Sequence, residues 1–222
     1  KIAGQTSNLP GGERVLEPEA MGWLRDLGIP VPEFRFASDE AQAIDDCEAI
    51  GFPCVMKVVS PQIIHKSEFG GVIVGIKNRD EAAKAFHTIR QRTEGKDFRG
   101  VVIYPQVKGA QEVLLGLTVD PQFGPVIVFG LGGIYTELFK DISIRVAPVN
   151  HHQAMEMIRE TKSVKLLQGF RGAAASDLDM LADTIVRFSE IPFLYPEIKE
   201  ADLNPIFVLP DRLMVGDVRI IK

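Results

Sequence analysis

The sequence predicts an α+β protein built as two lobes, because short strands and amphipathic helices are mixed in both halves of the chain. These elements do not follow a strict strand–helix–strand repeat, which argues against a doubly wound parallel sheet. A length of 222 residues accommodates either one large domain or two joined lobes, and a hydrophobic content of 45% is enough for a substantial core.

The first 16 residues are polar and punctuated by Gly and Pro, so we interpret residues 1–16 as a tail or linker. Residues 17–222 then form the folded domain. We place its N-terminal lobe at about 17–105 and its C-terminal lobe at about 106–222, because the β-rich second half begins near that boundary.

The N-terminal lobe is predicted to contain three helices and three strands. A stripe of Ala20, Trp23, Leu24 and Leu27 marks the first helix, which Gly28 ends. We expect Ser38 to cap the second helix, with Ala41, Ile44 and Ala49 facing inward, and Asn78 to cap the third. The predicted elements are a helix Glu17–Leu27, a strand Glu33–Ala37, a helix Asp39–Ile50, strands Cys54–Val59 and Val72–Lys77, and a helix from Asn78 to about Arg92.

The second half of the chain, from Gly100 onward, is predicted to be richer in strands. A turn sequence, DPQFG, joins two of its strands as a hairpin, and Pro210-Asp211 joins the last two. We expect Asn150 and Ser176 to cap two further helices. The predicted elements are strands Gly100–Val107, Glu112–Val119, Pro125–Phe129 and Ile142–Val146, amphipathic and helical segments at Ile134–Phe139 and Lys162–Gln168, two capped helices, and strands Ala201–Leu209 and Arg212–Ile221.

The composition limits the classes of function. A net charge of −5 argues against broad, non-specific binding to nucleic acid. No apolar run approaches the roughly 20 residues needed to cross a bilayer, and the first residues lack the apolar core of a signal peptide. Cys47 and Cys54 form neither a CxxC pair nor a metal cluster. We therefore expect a cytoplasmic protein that acts on small molecules.

The segment SPQIIHKSEFGG, residues 60–71, lies between two predicted strands and carries the strongest chemical signal. His65 could accept a phosphoryl group, Lys66 could hold an anion, and Gly70 with Gly71 would let backbone N–H groups approach a phosphate. The alternatives are a solvated histidine–lysine pair and glycines that only form a turn before a strand.

Lys57 interrupts the apolar run PCVMKVVS. In an interior strand its ammonium group would be costly without an anion, so we expect an anionic group to meet it, for which a nucleotide phosphate is a candidate. On an edge strand it would instead reach solvent.

The final hairpin predicts a metal site. A two-residue turn at Pro210-Asp211 places Asn204 directly opposite Asp217, with about 5 Å between their Cβ atoms. A carboxylate and an amide oxygen at that spacing suit Mg²⁺, which completes its shell with water and phosphates. The same register places Asp202 opposite Arg219. The alternative is an exposed polar pair on a surface hairpin.

Three further positions carry weaker signals. Glu112 opens an apolar strand and could accept hydrogen bonds from an adenine or ribose group, or be an ordinary strand-end side chain. The glycines of GLGG, residues 130–133, lack the spacing of a dinucleotide-binding motif. Glu137 and Arg145 follow that loop, either as support for catalysis or as an ion pair.

Three ordered segments resemble a known family: GFPCVMKVVSPQIIHKSEFGGV, DPQFGPVIVFGLGGIYTELFKDISIRVAP and ADLNPIF with VGDVRIIK. They resemble the ATP-grasp β subunit of ADP-forming acetyl-CoA synthetases, also called NDP-forming acyl-CoA synthetases, which are related to succinyl-CoA synthetase. The resemblance implies an ATP-grasp fold whose two lobes hold ATP or ADP between them with magnesium. It also implies conversion of acid, ATP and CoA to acyl-CoA, ADP and phosphate through a phosphohistidine.

Residue roles follow from the matching positions. The resemblance implies that His65 relays phosphate, that Lys57 and Glu112 contact the nucleotide, and that Asn204 and Asp217 bind magnesium. The glycines that follow the family's histidine match Gly70 and Gly71. The resemblance places Arg145 and Glu137 near the reaction centre as candidate catalytic residues.

The sequence offers no candidate for the CoA-binding portion and its second histidine. The resemblance therefore implies a separate α subunit, or a fused N-terminal portion, through which the acid and CoA would bind. One alternative is a ligase-like regulatory module of a fused protein, such as a protein lysine acetyltransferase. Another is an ATP-grasp ligase that makes an acyl phosphate directly.

Overall fold

The computed structural model describes residues 8–132, 141–162, 164–169 and 174–222. Within them the chain forms two compact units. One unit comprises the N-terminal residues through Val15 together with Ala20–Val31 and Gly109–Lys222, and the other comprises Leu16–Glu19 and Pro32–Lys108. We call them the C-terminal unit and the N-terminal unit.

The N-terminal unit is a four-stranded antiparallel sheet covered by two helices. The order of the strands across the sheet is β2-β5-β3-β4, so β3 and β5 are the two interior strands. Apolar side chains from both helices and the sheet form its core, among them Met56, Ile89 and Ile103. Its elements are β2 (Arg35–Ala37), α2 (Glu40–Ile50), β3 (Cys54–Val59), β4 (Val72–Ile76), α3 (Arg79–Arg92) and β5 (Gly100–Pro105).

The C-terminal unit is a seven-stranded antiparallel sheet. Its order is β1-β11-β9-β6-β7-β8, with β10 also pairing with β9. Its strands are β1 (Arg14–Val15), β6 (Gln111–Asp120), β7 (Gly124–Leu131), β8 (Ile142–Val146), β9 (Glu200–Val208), β10 (Leu213–Val215) and β11 (Val218–Ile221). Its helices are α4 (His151–Glu160), α5 (Val164–Leu167) and α6 (Leu178–Leu194), and α1 (Glu17–Asp26) belongs to it from Ala20 onward.

Helix α4 packs on β7 and β8, and α6 packs on α4, so one face of the C-terminal sheet is covered. Ile127 and Phe129 of β7 point toward this covered face and are fully buried. On the neighbouring strand β8, Ile142, Ile144 and Val146 point to the opposite face and are exposed. Successive side chains along a strand point to opposite faces of the sheet, so a strand residue points either to the helix-covered face or to the other one.

Two of the four predicted N-cap residues cap their helices, and the other two predictions are corrected by one position. Asn78 and Asn150 accept hydrogen bonds from Glu81 N and Gln153 N, as predicted. The prediction of Ser38 and Ser176 as caps was wrong, because Asp39 and Asp177 occupy those positions. Each of these aspartates has extended backbone, and its carboxylate accepts a bond from the N–H three residues later.

The inward face of α2 was predicted only in part, because Ile44 is partly buried against the core as predicted but the two alanines are not. Ala41 and Ala49 are exposed, whereas Ala43 and Cys47 are fully buried. Residues four apart lie one above the other on a helix, so Ala43 and Cys47 define the buried stripe. On α1 the predicted stripe of Ala20, Trp23, Leu24 and Leu27 is buried.

Two boundaries differ from the predicted ones. Arg14–Val15, which we assigned to the tail, pair with Ile220 and Ile221 as a strand. The predicted strand Arg212–Ile221 is interrupted at Gly216-Asp217 and forms β10 and β11. The predicted segment Ile134–Phe139 lies outside the described residues.

Candidate functional site

The loop between β3 and β4, residues 60–71, presents His65 to solvent. The chain turns tightly after the histidine: Phe69 N donates to His65 O at 3.0 Å, and Gly71 N donates to Lys66 O at 2.7 Å. The loop end is joined to β3 by Val58 N, which donates to Gly71 O at 2.8 Å. An exposed imidazole on a hydrogen-bonded loop is accessible to a reactant, as a phosphoryl acceptor requires.

Both loop glycines meet local structural demands. Gly70 has a φ of +71°, which favours glycine, and its carbonyl accepts a hydrogen bond from Arg92 at 2.7 Å. A Cβ atom at Gly71 would lie 2.5 Å from Cγ1 of Val58. Their N–H groups donate to Ser67 O and Lys66 O in this structure. The turn alternative therefore accounts for both glycines, and their contact with a phosphate stays a prediction.

We expect Gly71→Ala to destabilise the protein by about 1–3 kcal/mol, because the added methyl group must displace Val58 on the neighbouring strand. Urea unfolding would measure the change. Gly22→Ala in α1 is the matched control: its Cβ meets nothing within 4 Å, so this substitution should stabilise by about 0.5–1 kcal/mol. Equal effects of the two substitutions would contradict the argument.

Lys57 lies on β3, which pairs with β5 on one side and β4 on the other, so the edge-strand alternative was wrong. Its side chain is buried, and its Nζ lies 3.1 Å from Oε1 of Glu17 and 4.7 Å from the centre of the Tyr104 ring. The prediction that an anion meets Lys57 is confirmed. That anion is a protein carboxylate, and a nucleotide contact stays a prediction.

Glu17 is the functional candidate that sequence reasoning missed. It is the first residue of α1, is only 4% exposed and belongs to the N-terminal unit. Oε1 also accepts a hydrogen bond from Tyr104 Oη at 2.7 Å, and Oε2 lies 2.9 Å from Nζ of Lys66. The apolar surroundings of Lys57 were the only signal that a buried acid must exist, and they did not say which acid.

Asn204 and Asp217 lie opposite each other, as the register argument predicted. Asn204 N donates to Asp217 O at 3.1 Å. The pairs that flank these two residues have the register that the two-residue turn predicts: Leu213 lies opposite Val208, and Val218 lies opposite Leu203. Asp202 and Arg219, each two residues further from the turn, are also directly opposite each other. Both residues are partly exposed.

Gly216 is required beside this pair. A Cβ atom at Gly216 would lie 2.4 Å from the ring of Phe207, and Gly216 N donates to Pro205 O at 2.7 Å. The chain leaves strand geometry here, and Asp217 accepts a bond from Val218 N through Oδ1. Glycine thus lets the backbone pass an aromatic ring immediately before the candidate metal ligand.

The donor set suits magnesium. Amide and carboxylate oxygens are hard ligands of the kind Mg²⁺ prefers. Among the described residues no group of three or more His, Cys, Asp or Glu side chains is arranged to hold a metal ion. A magnesium site at Asn204 and Asp217 would use these two oxygens and complete its shell with phosphate and water, as this ion commonly does.

Glu112 is exposed on β6, opposite Phe207 of β9. Its backbone carbonyl accepts a hydrogen bond from Gly132 N at 2.9 Å. A Cβ atom at Gly132 would lie 3.0–3.1 Å from the backbone of residues 112 and 113, so this glycine of GLGG allows a close approach of two chain segments. Alternation along β6 places the Glu112 side chain on the same face as Asp202.

Arg145 occupies the other, helix-covered face, because it lies opposite the buried Ile127. It forms an ion pair with Glu160 of α4, and Ser143 donates to the same carboxylate at 2.6 Å. The hydrogen bond from Arg145 holds the pKa of Glu160 below its ordinary value. This placement favours the ion-pair alternative, so a catalytic role of Arg145 stays a prediction. Glu137 lies outside the described residues.

The candidate residues thus form two groups. In the N-terminal unit the buried acid Glu17 contacts both Lys57 and Lys66. Lys66 belongs to the loop that also carries His65, Gly70 and Gly71. In the C-terminal unit Asn204 of β9 lies opposite Asp217, at the junction of β10 and β11, and Glu112 lies on the neighbouring strand β6. Arg145 lies on the helix-covered face of that unit's sheet.

Comparison with known proteins decides the family. Residues 9–221 match the model of the ATP-grasp domain. The chain is 48% identical over 211 residues to the β subunit of acetate–CoA ligase (ADP-forming) I from Pyrococcus furiosus, covering 93% of this chain and 91% of that one. The chain belongs to the ATP-grasp family of ADP-forming acid–CoA ligase β chains.

Other members of the ATP-grasp ligase family join this region to a longer chain. The 4-hydroxybutyrate–CoA ligase (ADP-forming) of Nitrosopumilus maritimus is 43% identical over 199 residues, which are 88% of this chain and 28% of that protein.

A solved structure in the same ligase family shares the fold. It is the dinucleotide forming acetyl-coenzyme A synthetase 1 of Ca. Korarchaeum cryptofilum, with coenzyme A and Ca-AMPCP, at a TM-score of 0.91 and 40% identity over 95% of this chain and 94% of that chain. A second complex of that protein, at a TM-score of 0.82, holds Mg-AMPPCP with its phosphohistidine segment pointing towards the nucleotide binding site. The fold prediction of an ATP-grasp domain is confirmed.

Proposed function

We propose that this chain is the nucleotide-handling component of an ADP-forming acid–CoA ligase, which links acid, ATP and CoA to acyl-CoA, ADP and phosphate. The observation that carries the proposal is His65, exposed on a loop that Gly70 and Gly71 shape, in a chain 48% identical to an acetate–CoA ligase β subunit. His65 is the residue to which we assign the phosphoryl group in transit.

The chemistry at His65 is a phosphoryl transfer. A ring nitrogen forms a bond to the γ-phosphorus of ATP while the bond from that phosphorus to the departing ADP oxygen breaks. The ring proton then leaves to solvent, and the phosphorylated imidazole later gives its phosphoryl group to the acyl side of the reaction. In the reverse direction the same steps make ATP from ADP.

The remaining candidates have supporting roles. We assign Lys57 and Glu112 to the nucleotide and Asn204 with Asp217 to Mg²⁺. A bound magnesium ion would offset negative charge on the phosphates. The chain's own contribution is to present two oxygens, one from β9 and one from the junction of β10 and β11, at positions that the pairing of these strands fixes.

The ligase needs a partner that supplies the acyl and CoA chemistry. The Pyrococcus relative is called a β subunit, and the Nitrosopumilus relative carries the equivalent region within a longer chain. We therefore propose a CoA-binding α subunit or fused portion as the partner, through which the small acid and CoA bind. No described helix is long and apolar enough to cross a membrane. Two free, buried cysteines support the proposed cytoplasmic location.

Incubation of the chain with Mg²⁺ and γ-labelled ATP tests the proposal. We expect protein-bound label that survives base and is lost in acid, the signature of a phosphohistidine, and no label from α-labelled ATP. Addition of ADP should release the label as ATP. Nucleotide binding without any label would contradict the proposal and favour a regulatory module.

Magnesium dependence gives a second test. We expect Asp217→Ala to raise the Mg²⁺ concentration needed for half-maximal labelling by about 10–100-fold, because it removes a charged oxygen ligand. Asp211→Ala, in the turn of the same hairpin, is the matched control because its side chain is 73% exposed, and it should leave the requirement unchanged. An unchanged requirement in Asp217→Ala would remove this residue from the metal site.

A further inference from the structure

In the loop that carries His65, where Ile63 is buried in the core, Lys66 also turns its side chain inward. Its side chain is only 12% exposed, while His65, Ser67 and Glu68 on either side of it are exposed. Its Nζ lies 2.9 Å from Oε2 of Glu17, whose side chain is 2% exposed. The loop that carries His65 is therefore tethered to a buried carboxylate by the side chain next to the histidine.

The carboxylate of Glu17 is itself fixed. Its other oxygen, Oε1, is 3.1 Å from Nζ of Lys57 on β3 and accepts a hydrogen bond of 2.7 Å from Oη of Tyr104 on β5. These are the two interior strands of the sheet, and all four residues belong to the N-terminal unit. Two donors on the interior strands hold Glu17 in place, so the position of Lys66 is defined relative to the sheet.

We propose that Glu17 is a positioning residue for His65, acting through Lys66. This inference rests on the proposed function, in which the His65 segment carries a phosphoryl group between two reactants. While the Glu17–Lys66 pair is formed, the backbone beside the imidazole is held in one orientation, and separation of the pair releases the segment.

The arrangement permits release without stranding a buried charge. When Lys66 leaves, its ammonium group passes to solvent, while Glu17 keeps Lys57 and Tyr104 on Oε1. A buried ion pair is costly to break mainly when it leaves one charge uncompensated in the interior. The second lysine removes that penalty, so the Glu17–Lys66 pair can form and separate while the sheet stays intact.

Hydrogen–deuterium exchange of residues 60–71 in the full chain, without nucleotide, tests the tether directly. We expect Lys66→Met and Glu17→Gln each to raise exchange at Phe69, Gly70 and Gly71 about tenfold, because these amides are bonded within the loop. The double variant should exchange no faster than the faster of the two single variants, because both substitutions break the same Glu17–Lys66 ion pair. Glu19→Gln, an exposed acid in the same helical turn, should leave the loop unchanged.

Single-turnover labelling from γ-labelled ATP separates positioning from mere stability. In Lys66→Met we expect the rate at saturating ATP to fall about tenfold while the half-saturating ATP concentration is unchanged, because a loosened segment aligns the imidazole less often. Lys66→Arg should restore most of the rate, because it keeps the positive charge. A parallel loss of ATP affinity would mean that Lys66 acts on the nucleotide and would overturn the proposal.

The outcomes separate this proposal from the one on which it rests. If wild-type protein takes no label, the proposed function fails, while the exchange data still decide whether the tether exists. If the protein is labelled but Lys66→Met changes neither exchange nor rate, the positioning role fails. Glu17→Gln could unfold the unit, and for that reason Lys66→Met, which acts from the loop, carries the test.

Discussion

Replacement of His65 by asparagine is expected to abolish base-stable labelling from γ-labelled ATP and to lower turnover with the partner subunit by at least about a thousandfold. Asparagine keeps a polar side chain at an exposed position, so the loop should fold as before. It has no ring nitrogen that can form the bond to phosphorus. Because His65 is assigned to the transfer and not to binding, the affinity for ATP should stay within about threefold of wild type.

The matched control is His152→Asn. The side chain of His152 is 80% exposed on α4, and its Nδ1 lies 3.7 Å from Oε1 of Glu156. This variant should retain both label and turnover. Full turnover in His65→Asn without any label would show that an acyl phosphate forms directly, and a label retained in this variant would place the acceptor elsewhere.

Replacement of Glu17 by alanine is expected to destabilise the protein by about 3–5 kcal/mol, because it leaves the buried ammonium group of Lys57 without its carboxylate. Tyr104 also loses its acceptor. Urea unfolding at neutral pH measures the loss. For a chain of this length, thermal unfolding should show a melting temperature lowered by about 6–20 °C.

Two comparisons test the cause. Glu19→Ala removes an exposed acid from the same turn of α1 and should change stability by no more than about 0.5 kcal/mol. The double variant Glu17→Ala/Lys57→Met should be more stable than Glu17→Ala, because removing both charges relieves the uncompensated one. A double variant no more stable than the single one would mean that the buried charge is not the source of the loss.

Local sequence rules predicted the fold well where the signal is short-range. Asn78 and Asn150 cap the predicted helices, and DPQFG closes the β6–β7 hairpin with Asp120 opposite Gly124. The register of the final hairpin was also fixed by a two-residue turn, because the side-chain period of strands leaves little freedom once the turn is set. Errors arose where neighbouring residues compete, as Ser38 and Asp39 do for one cap.

The site was predictable only in part. The exposure of His65 and the opposition of Asn204 and Asp217 followed from the loop and the turn. Arg145 was different: its sequence context resembles that of Lys57, yet it lies on the helix-covered face and meets Glu160. Which face a strand residue occupies depends on the packing of distant helices, and no pattern within β8 contains that information.

The sequence by itself determined the α+β class, most of the strand and helix order, and the candidates His65, Asn204 and Asp217, because turns, caps and strand alternation act over a few residues. Only the tertiary structure revealed that Glu17 meets Lys57, 40 positions along the chain, and Tyr104, 87 positions along it. The burial of Lys57 requires an anion but cannot specify which one. That choice is made by the chain path that brings the first residue of α1 against two interior strands.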